Sequence, residues 1–390
     1  MKQVLVLGGG LVGGVIARNL AAPFGDANDG NEAVDVVVAD ANPQVRAALT
    51  KNYGLTTSEL DITDAEALTR AVQAADVVVG AVPGSLGYRM LETVIRAGRN
   101  VVDISFTPED PLTLDDLAVE HGVTAVVDAG LAPGLSNLVL GRYQQEYDPL
   151  ERFVCYVGGL PKVRRWPFEY LSVFSPIDVI EEYTRPVRLK VGGRVVQREA
   201  LSDIEQVILP HVGSLEAFNT DGLRTLLSTV PVPDMLEKTL RYPGHAERMR
   251  MLRDTGFFSR EPLDVDGHAV APIEVSSRLL FESWRPGPGD EGHDLVVMRV
   301  ELTGQLRGRL LVTTVDLYRA YDPLTETTAM AATTGYTCAA VARVLLAGDY
   351  ADPGIRPLEY LGADKGVYQR VLHDLARQGV SLNIKQTQPD

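Results

Sequence analysis

Cysteine is nearly absent from this chain of 390 residues: Cys155 and Cys338 stand far apart, with no CxxC and no histidine close to either. That excludes a disulfide scaffold and a zinc site of the usual spacing; no metal is expected, and the reducing cytoplasm is the default compartment. Basic residues are also in short supply, 37 Lys and Arg against 52 Asp and Glu, which leaves a formal net charge of -15. A protein whose task was to neutralise nucleic-acid phosphates would need the opposite balance. Only seven of the basic residues are lysine, a bias that genome composition explains and that carries no functional weight. Long apolar runs are missing too. The uncharged segments 77–88 and 129–141 contain proline and fall short of the roughly 20 residues that span a bilayer. The run 4–17 follows Lys2 as a secretory signal would, but five of its fourteen residues are glycine and no small-residue cleavage site precedes Arg18. It is read as folded structure, and no membrane partner is expected.

What remains is an ordinary globular composition, 45% hydrophobic and 23% charged. The length predicts two domains, with three the next expectation, because a single core stops growing near 250 to 300 residues. Up to about residue 130, short Val-rich runs at 4–7, 34–39, 77–81, 101–104 and 124–127 alternate with helical stretches at 65–75 and 88–97. That alternation predicts an α/β, doubly wound parallel sheet of Rossmann type, covered on both faces. The pattern then changes to long strands and glycine turns. Residues 187–191 and 194–198 flank Gly192-Gly193 as a hairpin, and 295–302 with 310–318 reads as a second antiparallel pair. A helical pattern returns after Thr334 and ends at Gly348. The expected division is a dinucleotide-binding domain over 1–130, a mixed α/β substrate and dimerisation domain over 131–332, and a C-terminal segment, 333–390, that packs back on the first.

The first strand runs into Gly8-Gly9-Gly10-Leu11-Val12-Gly13, which satisfies GxGxxG. Gly8 and Gly10 would let the backbone turn tightly and approach a pyrophosphate, while Gly13 would let the next helix, 11–20, pack against the strand. The N–H groups of Leu11, Val12 and their neighbours would face the phosphates. An acid is expected about 20 residues further on, at the end of the second strand. Asp40 stands 27 after Gly13, and the Asp-, Asn- and Gly-rich stretch 25–31 accounts for the surplus as a surface loop. A carboxylate there accepts the ribose 2′-hydroxyl and repels a 2′-phosphate, so NAD is expected rather than NADP. By position, Ala81, Val82 and Pro83 would lie beside the nicotinamide ribose, and Asp61 and Ile62 beside the adenine.

Two segments further on could carry substrate contacts: Gly130 to Asn137, or else a stiff interdomain turn, and Leu240-Arg241-Tyr242-Pro243-Gly244-His245, or else a surface turn. Taken in order with the GGGLVG loop, Gly158-Gly159-Leu160-Pro161, the run from Phe174 to Tyr183, Glu216 to Gly222 and Lys238 to His245, they make the chain resemble the saccharopine dehydrogenase-like family. Within that family it is most similar to the NAD-dependent lysine 6-dehydrogenases. The resemblance implies a Rossmann domain completed by the C-terminus, with an inserted α/β substrate domain. Saccharopine reductases typically show Asn-Arg-Asp-Ser where this chain has Asn219-Thr220-Asp221-Gly222, and Asp-His where it has Ser136-Asn137. Both departures imply a smaller substrate with one carboxylate, free lysine; a carboxynorspermidine dehydrogenase remains the alternative.

The reaction so implied is oxidative deamination of L-lysine at the ε-carbon, releasing ammonia and a semialdehyde that cyclises. Asp103, at the carboxyl end of a strand, is the candidate for holding the amine or relaying protons, unless it only caps the next turn. Arg241 suits the α-carboxylate because a guanidinium binds it bidentately. His245 is a candidate for proton transfer or a structural histidine, and Asn219, Thr220 and Glu182 are candidates for the α-amino end. The partners expected are a small amino acid and further copies of the chain. The competing classes are an NADP-linked reductive condensation and a nonenzymatic dinucleotide sensor.

Overall fold

The computed structural model describes residues 1–22, 34–172, 176–285 and 293–389. The chain divides into two compact units, Met1–Glu146 with Ala331–Val380 and Tyr147–Met330 with Ser381–Asp390. The first boundary falls later than the expected 130/131. The physical reason is the helix Leu135–Gln144, which packs so tightly on the helix Leu358–Ala363 that a Cβ on Gly141 would lie 2.0 Å from the Glu359 carbonyl oxygen. Asn137 of the same helix donates to Glu359 at 3.1 Å. The C-terminal segment is also divided. Its helices belong to the first unit, whereas the last strand, Leu382–Thr387, pairs antiparallel within the second.

In the first unit, β1 (Lys2–Leu7), β2 (Val34–Asp40), β3 (Thr56–Glu59), β4 (Val77–Gly80), β5 (Asn100–Asp103) and β6 (Thr124–Val126) form a parallel sheet in the order 6-5-4-1-2-3. The short strand Gly354–Ile355 extends it beyond β6. Val4, Val6, Val78 and Val79 are fully buried, as continuous Val runs in a sheet covered on both faces require. β3 escapes a hydrophobicity search because its sequence, TTSE, is polar and mostly exposed at the sheet edge. The helix before it, Pro43–Tyr53, is declared by its ends rather than its face. The Asn42 side chain accepts from the Gln44 and Val45 N–H groups, Pro43 opens the first turn, and Gly54 closes it at φ 66°. The stretch 25–31 lies outside the described residues.

The second unit is built on a mixed sheet of β7 (Leu150–Pro161), β8 (Val187–Val191), β9 (Arg194–Arg198), β10 (Glu205–Leu209), β11 (Gly213–Asn219) and β12 (Asp234–Arg241). A small separate hairpin, β13 (Leu263–Val265) and β14 (His268–Val270), precedes β15 (Asp294–Leu306) and β16 (Arg309–Ala320), which rejoin the large sheet. β12 and β7 run parallel while β11–β12, β7–β15 and β15–β16 are antiparallel. The two hairpins read from the sequence are present, with Val187 opposite Arg198 and Leu295 opposite Ala320. Because side chains alternate along a strand, Glu237, Thr239 and Arg241 share one face of β12, and Leu236, Lys238 and Leu240 the other. The first face is covered by the helices Pro176–Thr184, His245–Asp254 and Pro272–Ser283, whose Tyr183, Met249 and Leu280 share a core with Phe218 and Trp284. Arg241 therefore ends a strand underneath a helical layer, out of bulk water.

The helix Ala329–Ala347 is, among the described residues, the one long and apolar enough to cross a membrane, and 89% of that apolar window is buried inside the protein. Asp294, at the start of β15, accepts from the Ala329 N–H at 2.6 Å and the Met330 N–H at 2.9 Å and so caps its first turn. Such caps satisfy N–H groups that the helix itself cannot.

Candidate active site

The carboxyl edge of the first sheet gathers the glycine-rich turn. Gly8 has φ 94°, and a Cβ there would lie 2.3 Å from the Ala81 carbonyl oxygen, so the turn and the end of β4 lie in backbone contact. A Cβ on Gly13 would lie 2.0 Å from the Gly8 carbonyl oxygen, which is why the helix Gly13–Ala21 can start so close to the strand. Gly10 faces open space, Leu11 is 64% exposed, and no side chain caps that helix. The Gly14 N–H donates to the Gly10 carbonyl at 2.9 Å, and no side chain caps the N–H groups ahead of it, an arrangement that suits a pyrophosphate.

Asp40 ends β2 beside this turn. One carboxylate oxygen accepts from the Gly9 N–H and the other from the Asn42 N–H, both at 2.7 Å. The same side chain that would meet the ribose therefore also fixes the glycine turn, and lone pairs remain for a sugar hydroxyl. Ala81 donates its N–H to the Leu7 carbonyl, Val82 is buried, and Pro83 precedes the helix Gly84–Arg96. These residues share the sheet edge with Gly8 and Asp40. Asp61 and Ile62 sit beyond β3. Asp61 accepts from the Thr63 hydroxyl at 2.7 Å and N–H at 2.9 Å, which hold its carboxyl below the usual range. The residues present fit a dinucleotide. Among the described residues no group of His, Cys, Asp and Glu side chains could hold a metal ion.

Asp103 ends β5, 2% exposed, and accepts from Ser105 through both the N–H at 3.1 Å and the hydroxyl at 2.7 Å. It lies close enough to Cys338 to add to the effect of burial in pushing that thiol up. The segment Gly130 to Asn137 closes on its own backbone. A Cβ on Gly134 would lie 1.9 Å from the Gly130 carbonyl oxygen, and the Asn137 side chain accepts from the Gly134 N–H at 3.2 Å.

In the second unit a buried polar cluster surrounds Arg241. Its Nη2 donates to Glu182 at 2.8 Å, its Nη1 to the Leu240 carbonyl at 2.9 Å, and its guanidinium carbon lies 4.6 Å from the Tyr170 ring centre. Burial opposes its charge, but Tyr183, Glu182 and Tyr170 outweigh that and raise its pKa. Among the described residues the Nε has no acceptor. The Glu182 side chain keeps 28% of its surface exposed, against 4% for Arg241, so the ion pair reaches solvent at its acidic end.

His245 opens the helix His245–Asp254, which Glu216 of β11 caps by accepting from the Gly244 and Ala246 N–H groups at 2.8 and 2.5 Å. Nδ1 lies 2.8 Å from the Phe168 carbonyl oxygen, to which it must donate. Nε2 is then the acceptor for the Tyr183 hydroxyl at 2.9 Å. Burial, followed by the Arg241 charge, pushes His245 down to about 3, so the ring is neutral at physiological pH. Burial also pushes the Tyr183 phenol up. Because the folded-state pKa of His245 lies below the unfolded value near 6.5, its contribution to stability is complete above pH 6.5 and is lost as pH falls toward 3. Urea midpoints at pH 7.5 and 5 should therefore differ less in His245→Gln than in the parent; equal differences would rule out this linkage.

Asn219 donates to Ser202 at 3.0 Å and Asp203 at 2.8 Å, the Thr220 hydroxyl pairs with that of Thr239 at 3.0 Å, and Asp221 takes both forks of Arg188. The fold thus brings Arg241, Glu182 and His245 into one cluster, whereas Asn219, whose register partner is Lys238, lies on the opposite face of the sheet and does not join it, and Thr220 follows the end of β11 beside Thr239. The sequence assigned no role to Tyr183 or Glu216, which only delimit two of the resembling segments, and gave no notice of Tyr170. Glu182-Tyr183 is adjacent in sequence, but only the packed helix shows that Tyr183 faces His245. Phe174 and Ser175 of the resembling run lie outside the described residues.

Two family models match in tandem: "Saccharopine dehydrogenase NADP binding domain" over residues 4–126 and "Saccharopine dehydrogenase C-terminal domain" over 130–380. The NADP-dependent, L-glutamate-forming saccharopine dehydrogenase of Saccharomyces cerevisiae is 26% identical over 72% of this chain and 64% of its own length. Alpha-aminoadipic semialdehyde synthase of Arabidopsis thaliana is 26% identical over 65% of this chain, which spans only a quarter (25%) of that relative. Carboxynorspermidine synthase of Vibrio cholerae is 23% identical over 93% of both chains. The solved structure of the yeast L-Glu-forming saccharopine dehydrogenase superposes with a TM-score of 0.79 at 20% identity, covering 99% of this chain and 100% of the other, a likeness of fold.

Proposed function

The chain belongs to the saccharopine dehydrogenase family, and from that premise we propose that it is an NAD-dependent dehydrogenase that deaminates L-lysine at the ε-carbon. The observation that carries the substrate reading is Thr220. Where saccharopine reductases typically carry an arginine, this chain buries a threonine whose hydroxyl closes on Thr239. A second carboxylate would have no cation at that position, and the neighbouring Arg188 is already neutralised by Asp221 at 2.9 Å. A substrate with one carboxylate is left. Its zwitterionic end matches the Arg241–Glu182 pair, the carboxylate taking the unsatisfied Nε edge of the guanidinium and the α-ammonium taking Glu182.

A bound nicotinamide would supply the hydride acceptor for the carbon that bears the amine. The chain's own part is to hold the amino acid, to keep the ε-amine neutral and to hold a proton. An ammonium has no tendency to release hydride from its carbon, so a partly desolvated amine favours the step. Asp103, with a carboxylate that Ser105 orients, is proposed as the group of the first unit that holds a proton. His245, neutral and engaged at both nitrogens, serves to place Tyr183 and the Arg241 turn rather than to exchange protons. The direct test is whether lysine alone, without 2-oxoglutarate or a polyamine, supports NADH formation.

For the coenzyme the supporting observation is Asp40, which its bonds to Gly9 and Asn42 hold against the glycine turn. NAD should therefore be used far better than NADP. Asp40→Ala should narrow the gap mainly by weakening NAD, since the variant loses both an acceptor for the ribose and the brace on Gly9. Initial rates with each coenzyme check this, and equal use by the parent would reject the assignment.

A second reading, NADP-linked reductive condensation of an aldehyde with an amine, is favoured by the 93% coverage of the Vibrio relative. It requires two organic substrates, which the same assay detects. The proposal extends to a cytoplasmic protein, for which the two buried free cysteines speak, without a nucleic-acid partner, for which the net charge of -15 speaks.

A further inference from the structure

Glu59, which no sequence motif marks, stands beside Asp40 at the carboxyl edge of the sheet. The two are register partners on β2 and β3. Between them lies Arg46, from the helix Pro43–Tyr53, with a side chain 16% exposed. Its Nη1 donates to the Asp40 and Ala41 carbonyl oxygens at 2.8 and 2.9 Å, and its Nη2 to Glu59 at 2.9 Å. A guanidinium thus sits under the loop that would border an adenosine ribose, where an arginine is able to receive a 2′-phosphate. It is held there by a carboxylate that any such phosphate would have to displace.

We propose that Glu59 is a coenzyme-specificity residue, which selects against a 2′-phosphorylated dinucleotide by holding Arg46 closed. The inference rests on the reading of Asp40 as the ribose acceptor. The charge argument is local. Asp40, Glu59 and Arg46 sum to one negative charge, whereas a phosphate monoester brings between one and two more. Removing the Glu59 charge makes the trio neutral and releases one edge of Arg46 to pair with the phosphate, a charge-assisted contact. NAD carries no 2′-phosphate and gains nothing from the release. Because the Glu59 side chain is 79% exposed, the restraint is partly screened and the effect is bounded at roughly tenfold.

Binding of NADPH and NADH, titrated by nicotinamide fluorescence without any amino acid present, provides the test. Glu59→Gln should tighten NADPH about tenfold and leave NADH within about twofold, and the gain should shrink as salt is raised. Arg46→Ala in the Glu59→Gln background should abolish the gain. An unchanged NADPH titration in Glu59→Gln, with the parent still preferring NADH, would overturn the inference alone, as would a gain that survives loss of Arg46. Equal binding of the two coenzymes by the unmodified protein would overturn the coenzyme reading and the inference with it.

Discussion

With L-lysine as the only amine and NAD as the only coenzyme, the protein is expected to form NADH, and lysine dideuterated at the ε-carbon is expected to deliver deuterium to it. Lysine deuterated at the α-carbon should deliver none. The expectation descends from Thr220. Thr220 supplies no cation where an arginine is typical, and the cations beside it are engaged, Arg188 by Asp221 and Lys238 by Glu205 and the Asp203 carbonyl. If the Arg241–Glu182 pair holds the α-carbon end as proposed, the reacting end is the far amine. The unperturbed amine titrates near 10.4, so the rate should rise into the alkaline range as the neutral form accumulates. A pocket that already lowers that pKa would flatten the rise. Mass analysis of the NADH decides the matter. Label from the α-carbon would make the protein an α-amino-acid dehydrogenase, and no turnover without a second substrate would favour reductive condensation.

Arg241→Ala should cost roughly 2 to 5 kcal/mol in kcat/KM, from about 30-fold to several thousandfold. The variant would lose the proposed contact to the substrate carboxylate and also the Arg241–Glu182 pair, and removing one member is the costly way to break a half-buried pair. Some loss of thermal stability will accompany it, so a second variant separates the roles. Arg241→Lys keeps the positive charge but loses the planar fork. It should retain most of the stability and still raise KM for lysine. NADH titrations should be unaffected in both, because the groups proposed to hold the coenzyme belong to the other unit of the chain. Lysine binding by Arg241→Lys and Arg241→Ala as tight as the parent's would place the carboxylate clamp elsewhere.

How much of this was legible beforehand varies with the kind of signal involved. β1, β2 and β4 announce themselves as Val runs, because a strand buried on both faces has no room for polar side chains. β3 does not, since its exposed TTSE buries almost nothing. The helix Pro43–Tyr53 carries its information in Asn42, Pro43 and Gly54, which a search for apolar periodicity passes over. The boundary near 130 misleads for a related reason. The change from alternating elements to long strands begins with β7, but the helix Leu135–Gln144 before it still belongs to the first core.

By itself the sequence determined the local and periodic features: a parallel sheet with its glycine turn, an acid at the end of β2, the hairpins of the second unit, and the balance of charge. These depend on residues within a few positions of one another, or on a repeating burial pattern, and are written in order along the chain. Tertiary structure alone decided which side chains meet. It placed Tyr183 against His245 across 62 positions, gave Arg241 its partner Glu182 across 59, and brought Glu59 to Arg46 and Asp40 across a sheet edge. It also decided protonation: His245 is held neutral first by burial and then by the charge of Arg241 four positions earlier, and only the fold buries the ring beside that charge. Burial and electrostatic pairing act through space, and the order of residues records them only after the chain has folded.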